Sequence, residues 1–358
     1  MIRSCLKVYL GLNKRIWRRL PSSLRNRSIG RFYGRHLHGL VRRYSRRSQN
    51  HSTFFLRNRP EMELMRRLVG QKAHGAEVAI SVLACSKGAE VYSILWSVRR
   101  SRPDLKVSLH AVDISQEIID FAKDGVFSLK GPGNLKAPDR LGMTEEERLT
   151  WSTCRDQGSD QSASIFQRLD ESEMDAMFHL DGDRAAVKPW LKEGITWQVG
   201  DVSAPKLIHA LGPQDVVVAN RFLCHMEPAA AERCLRNISR LVKPGGYIFV
   251  SGVDLDVRTK VAKDMNWQPV PELMREIHEG DASLTMGWPL GWWGLEPFRE
   301  DHPDRRIRFA SVFRATSLAS LTNLEAAQYL FECSEKSIGR RITLQLRSAS
   351  SRDSRKLS

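Results

Sequence analysis

Two hydrophobic periods alternate along the middle of the chain. "EVAISVLA" (77–84) is a nearly continuous apolar run, the pattern of a buried strand. "AEVYSILWSVRRS" (89–101) follows with helical spacing. "KVSLHAVD" (106–113) returns to the strand pattern. "SQEIIDFAKDGVF" (115–127) starts with a serine cap, has acids in its first turns and reaches glycine near its C-terminal end, so it predicts a helix. Strands are predicted again at 195–201 ("ITWQVGD") and 215–220 ("DVVVAN"), then a helix over 227–242, a stop at "KPGG" (243–246) and a strand over 247–252 ("YIFVSG"). Five strands alternating with helices predict a parallel sheet covered on both faces. "RIRFASVFRAT" (306–316) reads as a late antiparallel strand.

Other stretches are less periodic. "NHSTFFLRNRPEMELMRRLV" (50–69) predicts a helix capped by Ser52 or Thr53, with Met62, Leu64, Met65, Leu68 and Val69 as its apolar face. Within 128–194, "KGPGNLKAPDRLG" is turn-rich, and "EMDAMFHLDGDRAAVKPWLKEG" reads as a helix or strand, a turn at Asp-Gly-Asp and a short return. "DMNWQPVPELMREIHEG" predicts one more helix. "MGWPLGWWGLEPF" (286–298) predicts a loop over a site; Trp288, Trp292 and Trp293 either wall an acceptor pocket or pack as core. The Ser/Arg-rich end beyond residue 335 has the composition of a disordered segment.

Charge divides the chain. The net charge is +15, yet residues 1–49 hold fourteen Lys and Arg and no Asp or Glu, while the rest holds 42 basic and 41 acidic residues. This predicts a basic arm (1–49), a folded domain (50–317) and a C-terminal helix and tail (318–358). The arm is either solvated or packed through Leu6, Tyr9, Leu10, Ile16, Trp17 and Leu20, or it meets an anionic membrane surface or another anionic partner. No apolar run reaches the ~18 residues of a membrane span. The opening "MIRSCLKVYLGLNKRIWRR" has its apolar patch broken by charge, unlike a secretory signal. Six cysteines (5, 85, 154, 224, 234, 333) form no CxxC pair, so no metal site and no disulfide framework are expected. The expected location is cytoplasmic, with peripheral attachment to a membrane as an option.

The turn Ala84-Cys85-Ser86-Lys87-Gly88 joins a buried strand to a helix through small residues, with Glu90 just inside the helix. Such a turn lets a ligand approach the backbone. The next strand ends in Asp113, where a carboxylate can accept both hydroxyls of a ribose. The competing reading is a packed turn and a solvated acid. No Gly-x-x-x-x-Gly-Lys surrounds Lys87, which disfavours a triphosphate. A nucleoside joined to a compact charged group, such as S-adenosyl-L-methionine, fits better.

"ACSKGAEVYS" (84–93) resembles the Gly-Cys-Ser-Thr-Gly-Glu-Glu-Pro-Tyr-Ser motif of CheR-type methyltransferases, agreeing at Cys85, Ser86, Gly88, Glu90, Tyr92 and Ser93. "AVDISQEIIDFAKDGVFSL" (111–129), "NHSTFFLR" (50–57), "VVVANRFLCHM" (216–226) and "LVKPGGYIFVSG" (241–252) resemble further family segments in the same order, over roughly residues 50 to 253. The resemblance implies a Rossmann-like class I methyltransferase fold, α/β, mostly parallel with a late antiparallel strand. It implies S-adenosyl-L-methionine as methyl donor. It places Asn50 and Ser52 near the methionine end or the sulfonium, Glu90 in the cofactor pocket, Ala84, Ser86 and Gly88 in the cofactor turn, Asp113 at the ribose and Ile114 among the cofactor-binding residues. Asp201 and Val202 would flank the adenine, and Asn220 would line the pocket. Departures fall where the acceptor would bind. Leu56 stands where the family has Arg, with Arg57 one place later; Asn220-Arg221 inverts the family's Arg-Asn; His225 replaces its tyrosine.

Methyl transfer from a sulfonium mainly requires alignment and exclusion of water. A carboxylate acceptor, on a protein or a small molecule, needs no base, and Arg57 or Arg221 could hold it. For a hydroxyl or amine, His225 is the candidate base; otherwise it is a partly buried histidine at a helix start. A non-catalytic S-adenosylmethionine-binding regulator docking through the arm is the alternative from another class. A specific nucleic-acid substrate is disfavoured, since no Asn/Asp-Pro-Pro-Tyr/Phe motif is present.

Overall fold

The computed structural model describes residues 2–44, 53–129, 164–280, 289 and 296–316. Ten strands and thirteen helices of four or more residues are found among them. The strands are β1 (Glu77–Leu83), β2 (Lys106–Asp113), β3 (Val126–Ser128), β4 (Phe178–Asp181), β5 (Arg184–Val187), β6 (Ile195–Val199), β7 (Gln214–Val218), β8 (Val242–Phe249), β9 (Gln268–Pro269) and β10 (Val312–Arg314). Helices α1 (Ile2–Arg19), α2 (Ser22–Arg25) and α3 (Ser28–Tyr44) form the N-terminal arm. Then come α4 (Arg59–Gly70), α5 (Ala89–Ser101), α6 (Gln116–Asp124), α7 (Glu171–Met177), α8 (Pro189–Lys192), α9 (Pro205–Leu211), α10 (Pro228–Ile238), α11 (Leu255–Asp264), α12 (Met274–Glu279) and α13 (Arg305–Arg308).

Seven strands make one sheet in the order β6-β2-β1-β7-β8-β10-β9. β6, β2, β1, β7 and β8 are mutually parallel, and β10 runs antiparallel to β8. This is a Rossmann-like α/β sheet, mostly parallel with a late antiparallel strand. The period-two alternation sorts side chains onto its two faces. Val216 and Val218 of β7 join Ile80, Val82 and Phe249 in one core. Val217 and Ala219 join Ile248, Leu235 and Val261 in the other. The chain leaves β1 toward β2 and β6, then returns to the opposite side of β1 at β7. That reversal opens a crevice outside the carboxyl ends of β1 and β7, where ligands bind such sheets.

A second sheet, β3-β5-β4, is antiparallel and lies between α6 and β6 in sequence. The Asp-Gly-Asp turn does join two strands, with α7 before them. Phe55 ties this sheet to the upstream segment: its ring meets Phe127, Phe166 and Phe178 at 5.2, 5.6 and 5.0 Å.

Several boundaries differ from the sequence expectation. The first core helix is capped by Asn58, whose Oδ1 accepts the Glu61 amide, and Pro60 favours a start there. Ser52 and Thr53 therefore do not cap it. The helix predicted at 115–127 stops at Asp124, because Val126–Ser128 pairs with β5. "KPGG" does not sit between a helix and a strand; it lies inside β8, after a 3-10 turn at Ser239–Leu241. "DMNWQPVPELMREIHEG" divides into β9 and α12, since Gln268 and Pro269 pair with β10. Residues 130–163, Trp288, Trp292, Trp293 and residues 317–358 lie outside the described residues.

Candidate functional site

The turn after β1 is conformationally costly. Ala84 (φ 55°) and Ser86 (φ 49°) occupy the left-handed region, and Gly88 follows at φ 81°. Non-glycine residues pay roughly 1–2 kcal/mol for that conformation. Such strain persists only where surroundings over-determine it, and it clusters at ligand clamps. Here the anchor is Asp113. Its Oδ2 accepts the Ser86 amide at 2.9 Å, and its Oδ1 accepts the Ser115 amide at 3.2 Å. The Cys85 amide also donates to the Val112 carbonyl. Gly88 has a protein reason of its own: a Cβ there would meet Ala122, Trp197 and Tyr92 at 3.1–3.2 Å. Asp113 is 4% exposed. A carboxylate oxygen accepts two hydrogen bonds, so each of its oxygens can take one more from a diol.

Glu90 opens α5 at the mouth of the crevice. Burial pushes its pKa up, against an opposing hydrogen bond from Asn220 and the positive charges of Arg57 and Arg221. Asn220 is the hub. Its Nδ2 donates to Glu90 Oε1 at 2.8 Å and to Glu61 Oε1 at 2.6 Å, while its Oδ1 accepts the Ser251 amide at 2.9 Å. One amide thus holds two carboxylates and the segment after β8. Glu61 is 2% exposed. Sequence reasoning missed it. Its signal was the Asn58-x-x-Glu61 spacing of a helix start, which reads as capping; the carboxylate instead reaches Asn220, 159 positions away.

Arg57 and Arg221 each follow or occupy a left-handed residue. Leu56 (φ 47°) is buried, donates its amide to Ser93 Oγ at 3.0 Å, and turns the chain so that Arg57 stays partly exposed over the Phe54 ring. Arg221 itself has φ 62°. A regular strand would send Asn220 and Arg221 to opposite faces. β7 ends at Val218, so strand alternation does not govern them, and both act on Glu90. His225 ends a 3-10 turn (Leu223–His225) and is partly exposed.

The remaining candidates lie nearby or outside the description. Ile114 is 53% exposed at the end of β2. The Gly200 amide donates to the Asp113 carbonyl, which brings the Asp201 turn beside β2. Asp201 Oδ1 accepts from the Ser203 amide and hydroxyl, and Val202 packs in the core. Asn50 and Ser52 lie outside the described residues. Among the described residues, no group of three or more metal-ligating side chains occurs.

The donor set suits a ligand with a diol, a cationic end and a flat apolar part. Asp113 could take the diol, Glu90 the cation, and Ile114 offers exposed aliphatic surface. Residues 50–137 match the family model described as CheR methyltransferase, SAM binding domain. Residues 171–250 match the model described as Methyltransferase domain. No curated relative matches the chain. Among solved structures, an O-methyltransferase family protein from Burkholderia thailandensis is 16% identical with TM-score 0.30, covering 81% of this chain and 60% of that one. PKMT2 from Rickettsia typhi, in complex with AdoHcy, is 12% identical with TM-score 0.29, covering 56% and 26%. The CurJ carbon methyltransferase is 10% identical with TM-score 0.36, covering 73% and 54%. The chain spans less than two thirds of the length of each of these three. Two stretches of this chain thus match methyltransferase family models, the first of them a CheR-type S-adenosylmethionine-binding domain, and neither stretch reaches half of the chain's length.

Proposed function

We propose that the methyltransferase domain spans residues 50–317 and methylates a carboxylate on a small molecule or protein. The observation that carries this reading is the placement of two partly exposed arginines at left-handed backbone turns, Arg57 just after Leu56 and Arg221 itself next to Asn220, which holds Glu90. Glu90 and Asn220 face the cationic end of the donor in this assignment, and Asp113, Ile114 and Asp201 face its nucleoside, with Ala84, Ser86 and Gly88 supplying the turn. S-adenosyl-L-methionine, when bound, supplies an electrophilic methyl on a positively charged sulfur. The chain's own residues orient and desolvate. Arg57 and Arg221 hold the acceptor carboxylate by charge-assisted hydrogen bonds. An ionised carboxylate is already nucleophilic, so His225 has no proton to remove and serves as pocket wall.

The acceptor in this reading is not a chemotaxis-receptor glutamate. Leu56, where the family has an arginine, is in the core, and Asn220 spends its amide on Glu61, Glu90 and Ser251. The test uses labelled S-adenosylmethionine with purified protein and cell extract. Label released by mild base as methanol, with Arg57→Gln and Arg221→Gln raising acceptor KM but leaving cofactor affinity intact, supports the proposal. Base-stable label, or stoichiometric methylation of receptor cytoplasmic domains, refutes it.

A further inference from the structure

The N-terminal arm is not an extended basic tail. α1 and α3 pack on each other around Trp17 and Leu37, with Leu10, Leu20, Tyr33 and Val41 alongside. The Trp17 and Tyr33 rings lie 6.0 Å apart, and the Tyr33 hydroxyl donates to Oδ1 of the buried Asn13. That accounts for one apolar sector of each helix. Each helix has a second one.

On α1, Val8, Leu12 and Ile16 are spaced by four residues and so form one stripe, with Tyr9 beside it. They are 73%, 57%, 45% and 41% exposed, respectively. On α3, Ile29 and Phe32 are spaced by three, and they are 84% and 69% exposed. His36 continues that stripe. The two stripes meet: Tyr9 Oη and His36 Nε2 are 3.3 Å apart, and the rings contact edge-on at 6.5 Å. The result is a continuous apolar face across a helical hairpin, facing water. Contiguous apolar faces of this kind mark interaction surfaces. Helical geometry puts Arg15 and Arg19 at the border of the α1 stripe and Arg35 next to the α3 stripe, and all three are exposed.

We propose that this hairpin lies on the surface of a bilayer containing anionic phospholipid, with Val8, Leu12, Ile16, Ile29 and Phe32 entering the headgroup–acyl boundary. Charge complementarity selects this occupant: residues 1–49 carry fourteen basic and no acidic side chains. A second copy of the chain would bring the same charge against itself. Nucleic acid would satisfy the arginines but leave Val8, Leu12 and Ile29 without an apolar partner. An interfacial helix needs both features together: an apolar sector for the acyl boundary and bordering cations for the anionic headgroups. Among the described residues, no helix is long and apolar enough to cross a membrane, so the hairpin lies in the interface plane.

The test is sedimentation of the full chain with vesicles of phosphatidylcholine alone or mixed with phosphatidylglycerol. The protein should pellet with the mixed vesicles, less so at high salt. I29S/F32S and V8S/L12S keep every charge and alter exposed positions, so both should melt like the parent. Each should lower vesicle partitioning about tenfold or more. If one pair fails to fold, the other carries the test. Equal pelleting of parent and serine variants overturns the insertion. Equal pelleting with neutral and mixed vesicles overturns the anionic-lipid assignment. So does a concentration-dependent dimer that the serine changes abolish, or DNA retention that survives them while vesicle binding is absent.

Discussion

Asp113 does two things at once. It tethers the strained turn through the Ser86 amide, and in the proposed reading it receives the donor's diol. Asp113→Ala is therefore expected to weaken S-adenosylmethionine binding by about 2 kcal/mol, the scale for hydrogen bonds to a charged group. Amide exchange at Ser86 should accelerate in the same variant. Calorimetry and hydrogen exchange read the two effects separately. Glu90 gives a pH prediction. Burial raises its pKa, so it is protonated in a window where an exposed glutamate is already ionised. Cofactor affinity should fall as pH drops through that raised value, and Glu90→Gln should flatten the profile. The linkage sign is the reverse for folding: the unfolded state releases this proton first, so Glu90 costs stability above its unfolded pKa. Glu90→Gln should thus raise the melting temperature of the ligand-free protein at neutral pH while weakening binding. A variant that binds normally and melts no higher would contradict both halves.

At the scale of elements, the two segments after β7 and β8 fit each other closely. Arg221 donates its amide to the Ser251 carbonyl, and Cys224 donates to Gly252. A Cβ on Gly252 would come within 2.6 Å of the Arg221 Cα, at a residue with φ 59°. Backbone cannot move aside as a side-chain tip can. Gly252→Ala is expected to cost about 2–3 kcal/mol, from overpacking and the left-handed conformation together. Because Arg221 would be displaced, acceptor KM should rise more than the loss of stability explains. Urea denaturation with steady-state kinetics on the folded fraction separates the two.

For the whole molecule, the amino-terminal edge of the sheet is held by one buried carboxylate. Asp215 at the start of β7 accepts from Lys72 at 2.7 Å, Lys243 at 2.9 Å and the Ala79 amide at 3.0 Å, so it joins the segment after α4 to β1, β7 and β8. Burial would raise its pKa, but these three partners outweigh that and hold it at about 2. A depressed carboxylate contributes stability above its unfolded pKa and loses it as pH falls through the folded value. Asp215→Asn should lower unfolding free energy by about 2 kcal/mol near neutrality. The difference from the parent should shrink as pH falls from about 4 toward about 2. A constant difference across that range would assign the loss to packing instead.

The apolar periodicity by itself determined the sheet's main strands, because burial on both faces demands continuous Val/Ile/Leu runs such as 77–84 and 215–220. It also placed the turn at 84–88 and the acids Glu90 and Asp113 at strand and helix ends, since those positions follow from chain order alone. The late antiparallel strand expected over 306–316 was legible only in its second half: Arg305–Arg308 is a helix, and Val312–Arg314 is the strand. Only the tertiary structure decided the rest. The Glu61–Asn220–Glu90 arrangement joins residues separated by up to 159 positions, and no local spacing encodes it. "KPGG" carries the signal of a stop, yet β8 runs on across it: Val242 pairs with Gln214 and Tyr247 with Val216, and between them the Gly245 amide donates to the Ala315 carbonyl while the Ala315 amide donates to the Gly246 carbonyl. The faces of Asn220 and Arg221 depended on where β7 ends, which hydrogen bonding to its neighbours sets and side-chain type does not. The charge of the arm was plain in the sequence. That some of its apolar side chains pack inside a hairpin while others face water was settled only by how α1 lies against α3.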